Sequence, residues 1–469
     1  VVLSVDDPGK KISYAELTKG KEILETEIGD VSVKKPSEFK IMGKYRFRVD
    51  SEEKVTGQAK YAGDIQLPGM LSARILRPPS LGARMTSVDT SEAEARDGVK
   101  VVKEGDLVAV LHPSQHTAAR ALETIKAEWE EESVDLDHDS IFDHALKVAT
   151  EGRMLGSEGD LSTGKAEAVK HIETVFEDPY IAHSPIENHT ATAVMKDGRM
   201  TVWASCQTPY PTKEDIAEEL GMDLNDVHLL PIFVGGGFGG KIYNPQAVEA
   251  ARLAKLTGKP VQVVYTREEE FLYDRLRPAA AVKVDAGLNS EGRITYWDYA
   301  VHLGGGREAE HFYEIPHSRT RSMSAPRGTM AHPFYTGAWR APSVNTNTFA
   351  RESQMDMLAA AAGVDPVEFR LKHLEHDPRM ANVVKKGAER FGWTPARGPS
   401  GRGVGFAVGI DVGSFVVVYV DLEVDKASGN VQVKRAVCCQ DMGMVVNPQG
   451  AILQAEGSML MGLGYALRE

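Results

Sequence analysis

Cysteine is nearly missing from this chain: Cys206, Cys438 and Cys439 are the only three in 469 residues. That excludes a disulfide framework, and with it iron–sulfur clusters and structural zinc sites that need four cysteine ligands. Any electrons released here must leave through something other than the chain's own clusters. Basic charge is also in deficit: 54 lysines and arginines face 67 aspartates and glutamates, a formal net charge of -13. Nucleic acid or an anionic membrane surface is a poor partner for such a charge. No apolar run approaches the roughly 18 residues of a membrane span, and the longest, residues 415–420, reads as a buried strand. The first residues carry no basic stretch before an apolar one, so no intact signal peptide is expected, and the compartment stays open between cytoplasm and periplasm. The missing initiator Met raises the expectation of processing or truncation upstream.

Catalytic signatures are sparse too. No Gly-x-Ser-x-Gly elbow supports acyl hydrolysis. His183 and Glu187 are four apart, but Pro185 between them argues against a shared helix face. His311 and His317 are six apart, and His373 and His376 read as a solvent face. None forms a paired ligand array, so direct metal ligation by this chain is not expected.

What the chain does have is Val234-Gly-Gly-Gly-Phe-Gly-Gly-Lys241, five glycines around one aromatic. Glycine belongs where the backbone comes very close to something or where φ must be positive. The run reads as a wall for a large flat or anionic ligand. Gly235 and Gly240-Lys241 match the spacing of a phosphate-cradling loop, but Ile242 stands where its magnesium-binding Ser or Thr is needed. Anion binding at the start of a following helix, and a tight turn with no ligand, remain alternatives.

Periodicity indicates mixed architecture. A small α/β unit is expected at 41–135, with a strand at 107–111 and a helix over 114–129. An acidic stretch, 128–143, reads as solvated, and residues 136–165 are taken as a linker. Region 166–395 mixes strands at 190–194, 200–204, 261–265 and 281–284 with helices at 213–220, 246–256 and 349–362. From residue 401 strands alternate at 404–410, 415–424 and 430–437, with a turn at 426–429. In such a strand Cys438 and Cys439 would face opposite sides.

Three polar positions stand out beside these elements. Gln207, at a strand end, has an amide suited to an oxo or carbonyl group, against the default of a surface glutamine. Arg340, between small or rigid residues, could meet an oxyanion or form a structural ion pair. Residues 440–448, Gln454-Ala-Glu-Gly457 and Gly462-Leu-Gly464 suggest a further ligand-facing turn, or an ordinary loop.

In order, the chain reads Gln207-Thr-Pro, Val234-Gly-Gly-Gly-Phe-Gly-Gly-Lys241, Lys259-Pro-Val-Gln-Val-Val-Tyr-Thr-Arg-Glu-Glu269, Arg340, Phe349-Ala-Arg-Glu-x-x-Met-Asp356, Gly363-Val-Asp-Pro-Val-Glu-Phe-Arg370 and Asp441-x-Gly-x-x-x-Asn-Pro448. This ordered set resembles the molybdopterin-binding large subunit of the xanthine dehydrogenase and aldehyde oxidase family, the molybdenum hydroxylases. Residues 57–69 resemble the entry to that family's small "hammerhead" domain. The resemblance implies an α+β fold: a junction segment at 1–40, the hammerhead at 41–135, the linker, a first molybdopterin-binding domain at 166–395 and part of a second at 396–469. It implies a molybdenum–molybdopterin cofactor, with the cytosine dinucleotide form as one option and no iron–sulfur cluster on this chain. Gln207, Gly237, Phe238, Gly239 and Arg340 would surround the cofactor without bonding the metal.

Two departures are informative. The Gly-Gln-Gly segment expected between Gly403 and Asp441 is missing, which resembles the isoquinoline oxidoreductase and membrane aldehyde dehydrogenase branch. Lys11-Ile-Ser-Tyr-Ala-Glu-Leu17 looks like the junction after an N-terminal half. The general-base glutamate of the family is expected beyond Glu469 or on another chain. Where purine enzymes carry a glutamate after the loop lysine, this chain has Ile242, which fits an aldehyde or N-heteroaromatic ring. The implied activity is oxidation of such a substrate, with water as oxygen source. Electrons would pass to an iron–sulfur subunit, with a cytochrome or flavin subunit as a further partner. The alternatives are a non-catalytic scaffold or fragment, and a nucleotide-binding module.

Overall fold

The structure is a computed structural model and describes every residue except 8, 21–31, 132–133, 396–400 and 469. It divides into two units, one of residues 1–46 with 444–451 and one of residues 47–443 with 452–469.

In the smaller unit, Val2–Leu3 pairs antiparallel with Lys11–Ile12. The short helix Tyr14–Thr18 starts at a capping box, the Ser13 side chain accepting from the Glu16 N–H while Glu16 accepts from the Ser13 N–H. Gly43 N–H donates to the Val446 carbonyl at 2.9 Å.

The larger unit is an α+β body of sheets with helices packed on their faces. Its first sheet has seven strands, in the order Val227–Leu230, Arg199–Ala204, Thr190–Lys196, Val261–Val264, Leu71–Ile75, Leu107–His112 and Lys100–Glu104. Leu71 pairs parallel with Val261, so the sheet draws strands from both sides of residue 135. The helix Pro245–Thr257 lays Ala247, Ala250, Ala251, Leu253 and Ala254 on it, all fully buried. Small side chains let this helix sit close to the sheet, at the cost of little side-chain entropy.

A five-stranded sheet follows, ordered Glu151–Glu158, Ser318–Ser324, Ile294–His302, Ala280–Leu288 and Lys170–Asp178. The helix Val344–Ala362 covers it with Ala350, Met355, Leu358 and Ala359, and ends at Gly363 in the left-handed conformation. The third sheet is the meander Arg402–Asp411, Ser414–Val424 and Val431–Asp441. Against it lies Pro378–Phe391, where a Cβ on Gly387 would strike Tyr419 and Val417.

Most expected elements are present, and four readings need correcting. The helix expected over 114–129 ends at Leu122, and Lys126–Glu130 pairs as a strand with Arg84–Asp89, because Lys-Ala-Glu-Trp-Glu alternates with a period of two. The stretch expected as solvated, 128–143, is exposed at most of its described positions but is not without structure: it starts in that strand and ends in the helix Ser140–Val148, whose Ile141 and Phe142 are buried, and the strand Glu151–Glu158 follows. The turn expected around 454–464 lies inside the helix Pro448–Leu467, whose glycines are tolerated among strong helix formers. His373 is buried at 1% exposure: its Nδ1 donates to the Phe369 carbonyl and its Nε2 accepts the Ile294 N–H. Among the described residues no helix is long and apolar enough to cross a membrane.

Candidate cofactor site

Three loops distant in sequence meet in the larger unit: residues 183–189 entering the 190–196 strand, the glycine loop 235–241, and residues 335–343 entering the 344–362 helix. Glu187 joins the first two. Its N–H donates to the Gly235 carbonyl at 3.2 Å, and its Oε2 accepts the Gly235 N–H at 2.7 Å. Lys241, at the end of the glycine loop, points inward. Its Nζ lies 2.9 Å from Glu187 Oε2 and 2.6 Å from the Glu187 carbonyl, and its side chain is 0% exposed. Burial pulls the ammonium below the ordinary lysine value against the opposing pull of Glu187. The nucleotide-binding alternative fails here. A phosphate-cradling loop needs its lysine free to reach phosphate. The anion-at-a-helix alternative also weakens, since the Gly240–Ile242 turn and two further residues separate the loop from the helix at Pro245.

The five glycines have reasons within the chain. A Cβ at Gly235 would meet the Glu187 side chain; at Gly236 it would crowd Phe238 and Pro185; at Gly237 it would strike the Gln207 amide. At Gly239 it would run into the Ala338 carbonyl, and at Gly240 into Asp274 Oδ2 and the His183 ring. The bare loop expected as a ligand wall is therefore a loop packed on its own protein, and glycine content alone does not mark the ligand face. Donors and strain do.

Gln207 follows the 199–204 strand and is exposed. Its N–H donates to the Lys241 carbonyl at 2.7 Å, and its Oε1 accepts the Gly239 N–H at 3.0 Å. The Nε2 protons then have no partner among the described residues, nor does the peptide N–H of Phe238. Phe238 holds φ at 55° and is 37% exposed. Four of the eight non-glycine residues with positive φ among the described residues, Ser184, Phe238, Ala341 and Ser343, lie on these three loops. Each costs on the order of 1 kcal/mol, a concentration expected where structure serves a site.

Arg340 comes to the loop through its backbone, since the Ala338 carbonyl lies against Gly239. Its guanidinium reaches the 448–467 helix, with Nη1 2.9 Å from Met461 Sδ and Nη2 3.5 Å from the Gln454 carbonyl. Neither partner neutralises a cation, and no carboxylate among the described residues pairs with it. It lines a cavity of about 570 Å³ with Gln440, Gln454, Ser458 and Tyr465. Asp411, on the same cavity, is already paired with Arg307. The fold thus gathers Gln207, Gly237, Phe238 and Gly239, while Arg340 joins them only through the Ala338 carbonyl and turns its unneutralised guanidinium to the 448–467 helix.

Sequence reading missed the buried layer beneath the loop. His189 Nδ1 lies 2.9 Å from Glu270 Oε1, and His183 Nδ1 2.9 Å from Asp274 Oδ2. His189, Glu270 and Asp274 offer donor atoms within 4.8 Å of one another, all buried. Each residue is engaged in at least one hydrogen bond, with Glu270 Oε2 left buried and without a partner, and the group reads as a charge network. Glu270 and Asp274 lie at the 267–273 helix, 81 and 91 residues from their partners. Only the run of three acids at 268–270 hinted at it.

Comparison with known proteins agrees with this geometry. Residues 146–374 and 351–469 each match the molybdopterin cofactor-binding domain. The chain belongs to the molybdenum hydroxylase large-subunit family. A nicotinate dehydrogenase polypeptide of Pseudomonas putida is 31% identical over 98% of this chain and 42% of its own length. The beta chain of the isoquinoline 1-oxidoreductase of Brevundimonas diminuta is 27% identical over 94% of this chain and 60% of its own. Among solved structures, the aldehyde oxidoreductase of Desulfovibrio desulfuricans aligns with a TM-score of 0.73 at 16% identity, over 92% of this chain and 72% of that one. Quinoline 2-oxidoreductase of Pseudomonas putida aligns at 0.67 and 19%, over 79% and 57%. These likenesses show a molybdenum hydroxylase fold, and the chain spans 42% and 60% of the two curated relatives. The residues present fit the family's cofactor: two unspent N–H donors suit oxo or sulfido ligands, and Arg340 suits anionic charge.

Proposed function

We propose that this chain is the cofactor-bearing part of a molybdenum hydroxylase that oxidises an aldehyde or an N-heteroaromatic ring with oxygen from water. The observation that carries this reading is the unpartnered Gln207 amide and Phe238 N–H at the glycine loop, to which the segment bearing the unneutralised Arg340 is joined at Ala338. Bound molybdopterin would supply the two-electron redox chemistry. The chain's residues would then hold and orient it. Gln207 Nε2 and the Phe238 N–H donate to its ligands, and Arg340 balances its charge. The half-exposed Phe238 ring would help keep water from the cofactor.

The substrate class rests on Ile242, a half-buried apolar side chain beside the loop where purine recognition would need a carboxylate. We assign the general base to none of the described glutamates. Electrons pass to an iron–sulfur subunit and from there to a cytochrome or flavin partner. The cytosine dinucleotide form of the pterin, the compartment and the domain division at 40, 135, 165 and 395 belong to the same proposal.

The test is molybdenum per chain in the protein isolated from its native source with whatever copurifies. A near-stoichiometric amount is expected. Molybdenum absent from an intact native complex would overturn the reading in favour of a non-catalytic scaffold.

A further inference from the structure

The glycine loop and the segment carrying Arg340 are about a hundred residues apart, and one buried ring joins them. The His183 side chain is 0% exposed. Its Nε2 lies 2.8 Å from the Ala338 carbonyl and its Nδ1 2.9 Å from Asp274 Oδ2. The Ala338 carbonyl can only accept, so Nε2 donates to it, and Nδ1 is held against the Asp274 carboxyl. Asp274 is itself held, its Oδ1 accepting the Arg275 N–H at 2.7 Å. Against this chain of bonds lies the loop: a Cβ at Gly239 would strike the Ala338 carbonyl, and one at Gly240 would strike Asp274 and lie 3.0 Å from the ring.

The backbone hydrogen bonds that tie the 335–343 segment to the rest of the unit lie upstream, while between Ala338 and Arg340 the Trp339 ring is buried edge-on against Tyr465. Leu276 N–H donates to the Tyr335 carbonyl, and Gly337 N–H to the Leu276 carbonyl. Beyond Gly337 the His183 bond is the last before Arg340, and the backbone then enters positive φ at Ala341 and Ser343. A strained segment needs an external hold to keep its conformation.

We propose that His183, held by Asp274, is a positioning residue: it clips the Ala338 carbonyl to the glycine loop and so fixes where Arg340 stands relative to Phe238 and Gly239. Its part in holding the cofactor rests on the function proposed above; the clip itself does not. The acid and base groups facing this ring and its neighbour are Asp274, His189, Glu270, Lys241 and Glu187.

Three variants test this. His183→Phe with Asp274→Asn removes the clip without leaving a buried unpaired carboxylate. Asp274→Asn alone keeps an amide oxygen or nitrogen for Nδ1 and lets a neutral ring still donate to Ala338. His183→Gln keeps a single donor. Amide hydrogen exchange is measured across 335–343 in each full-length chain without cofactor, and molybdenum per chain after expression with the cofactor supplied. For the double variant, exchange at the Gly337 and Val344 amides, bonded to the Leu276 and Ala341 carbonyls, should rise about tenfold, and molybdenum retained after dialysis should fall by a similar factor. Asp274→Asn should stay within about threefold of wild type in both. If the double variant matches wild type in exchange, the clip is overturned. If exchange rises while molybdenum is retained in full, positioning of Arg340 is overturned. A wild-type chain that never holds molybdenum removes the proposed function, while exchange still decides the clip.

Discussion

Lys241 and Glu187 form a buried ion pair, Nζ 2.9 Å from Oε2, that ties the end of the glycine loop to the segment before the 190–196 strand. A motif whose spacing imitates a phosphate loop has its lysine spent on structure. Lys241→Met would leave Glu187 buried without a counter-charge and should cost about 3 kcal/mol of stability, because breaking such a pair is worse than never building it. Thermal unfolding would register this, and millimolar ATP should raise the unfolding midpoint of neither variant nor wild type.

Two glycine substitutions should differ sharply. Gly239 has φ of 120° and no room for a Cβ beside Ala338, whereas Gly69 has φ of 70° and open space. Gly69→Ala should cost about 1 kcal/mol, the ordinary strain of that conformation. Gly239→Ala must also displace backbone and should cost at least about 3 kcal/mol. Chemical denaturation of the two proteins would rank them, and equal costs would mean the loop is looser than its packing implies.

Arg340→Met should leave the fold intact and lower cofactor occupancy. The guanidinium gives up only a thioether and a distant carbonyl contact within the chain, so stability should change by less than about 1 kcal/mol. Molybdenum per chain should fall at least about tenfold if the charge meets an anionic cofactor. Unchanged molybdenum would make Arg340 a bystander.

Histidine titration should narrow the stable pH range from both sides. Burial opposes charge on His189, but the hydrogen bond and charge of Glu270 outweigh it and raise the pKa. Its stabilising contribution is complete below the ordinary histidine value of about 6.5 and is lost as pH rises through the folded value above it. His311 and His332 behave in the opposite sense. Burial lowers both to about 4, so the unfolded chain binds their protons first and stability falls as pH drops from about 6.5 toward 4. Unfolding midpoints measured across pH should show Glu270→Gln flattening the alkaline limb alone.

Glu352 gathers Arg351, Arg370, the Tyr313 hydroxyl and the Val408 N–H around one carboxylate, fastening the 344–362 helix to the 402–411 strand. Glu352→Gln leaves the buried Arg351 without a carboxylate and Arg370 with Asp356 alone, and should cost about 3 kcal/mol. Hydrogen exchange should show the loss concentrated in the 402–441 meander.

How much of this was legible in the sequence depends on the range of the interactions involved. Helices such as 245–257 and 344–362 announce themselves through local period and glycine stops, and the 402–441 strands through alternation. The 126–130 strand is hidden because an apolar helix pattern runs straight up to it and its partner strand is remote, Ser87 standing 41 residues from Glu128. The helix at 448–467 is hidden because its glycines look like turns until neighbouring side chains are counted. At the site, the ordered motifs picked out Gln207, Phe238 and Arg340 along the chain. They could not tell that each glycine answers to a neighbour such as Ala338, or that Lys241 faces inward. His183 and Asp274 were invisible together, because no local pattern links residues 91 positions apart.

The parallel pairing of Leu71–Ile75 with Val261–Val264 has a consequence for how the chain assembles. Until residue 264 has left the ribosome, the strands at 71–112 expose an open edge of backbone donors and acceptors. Loop closure across nearly two hundred residues makes that step slow. During synthesis the N-terminal strands are thus the segment most in need of a chaperone, and fragments ending short of residue 261 should aggregate through that edge.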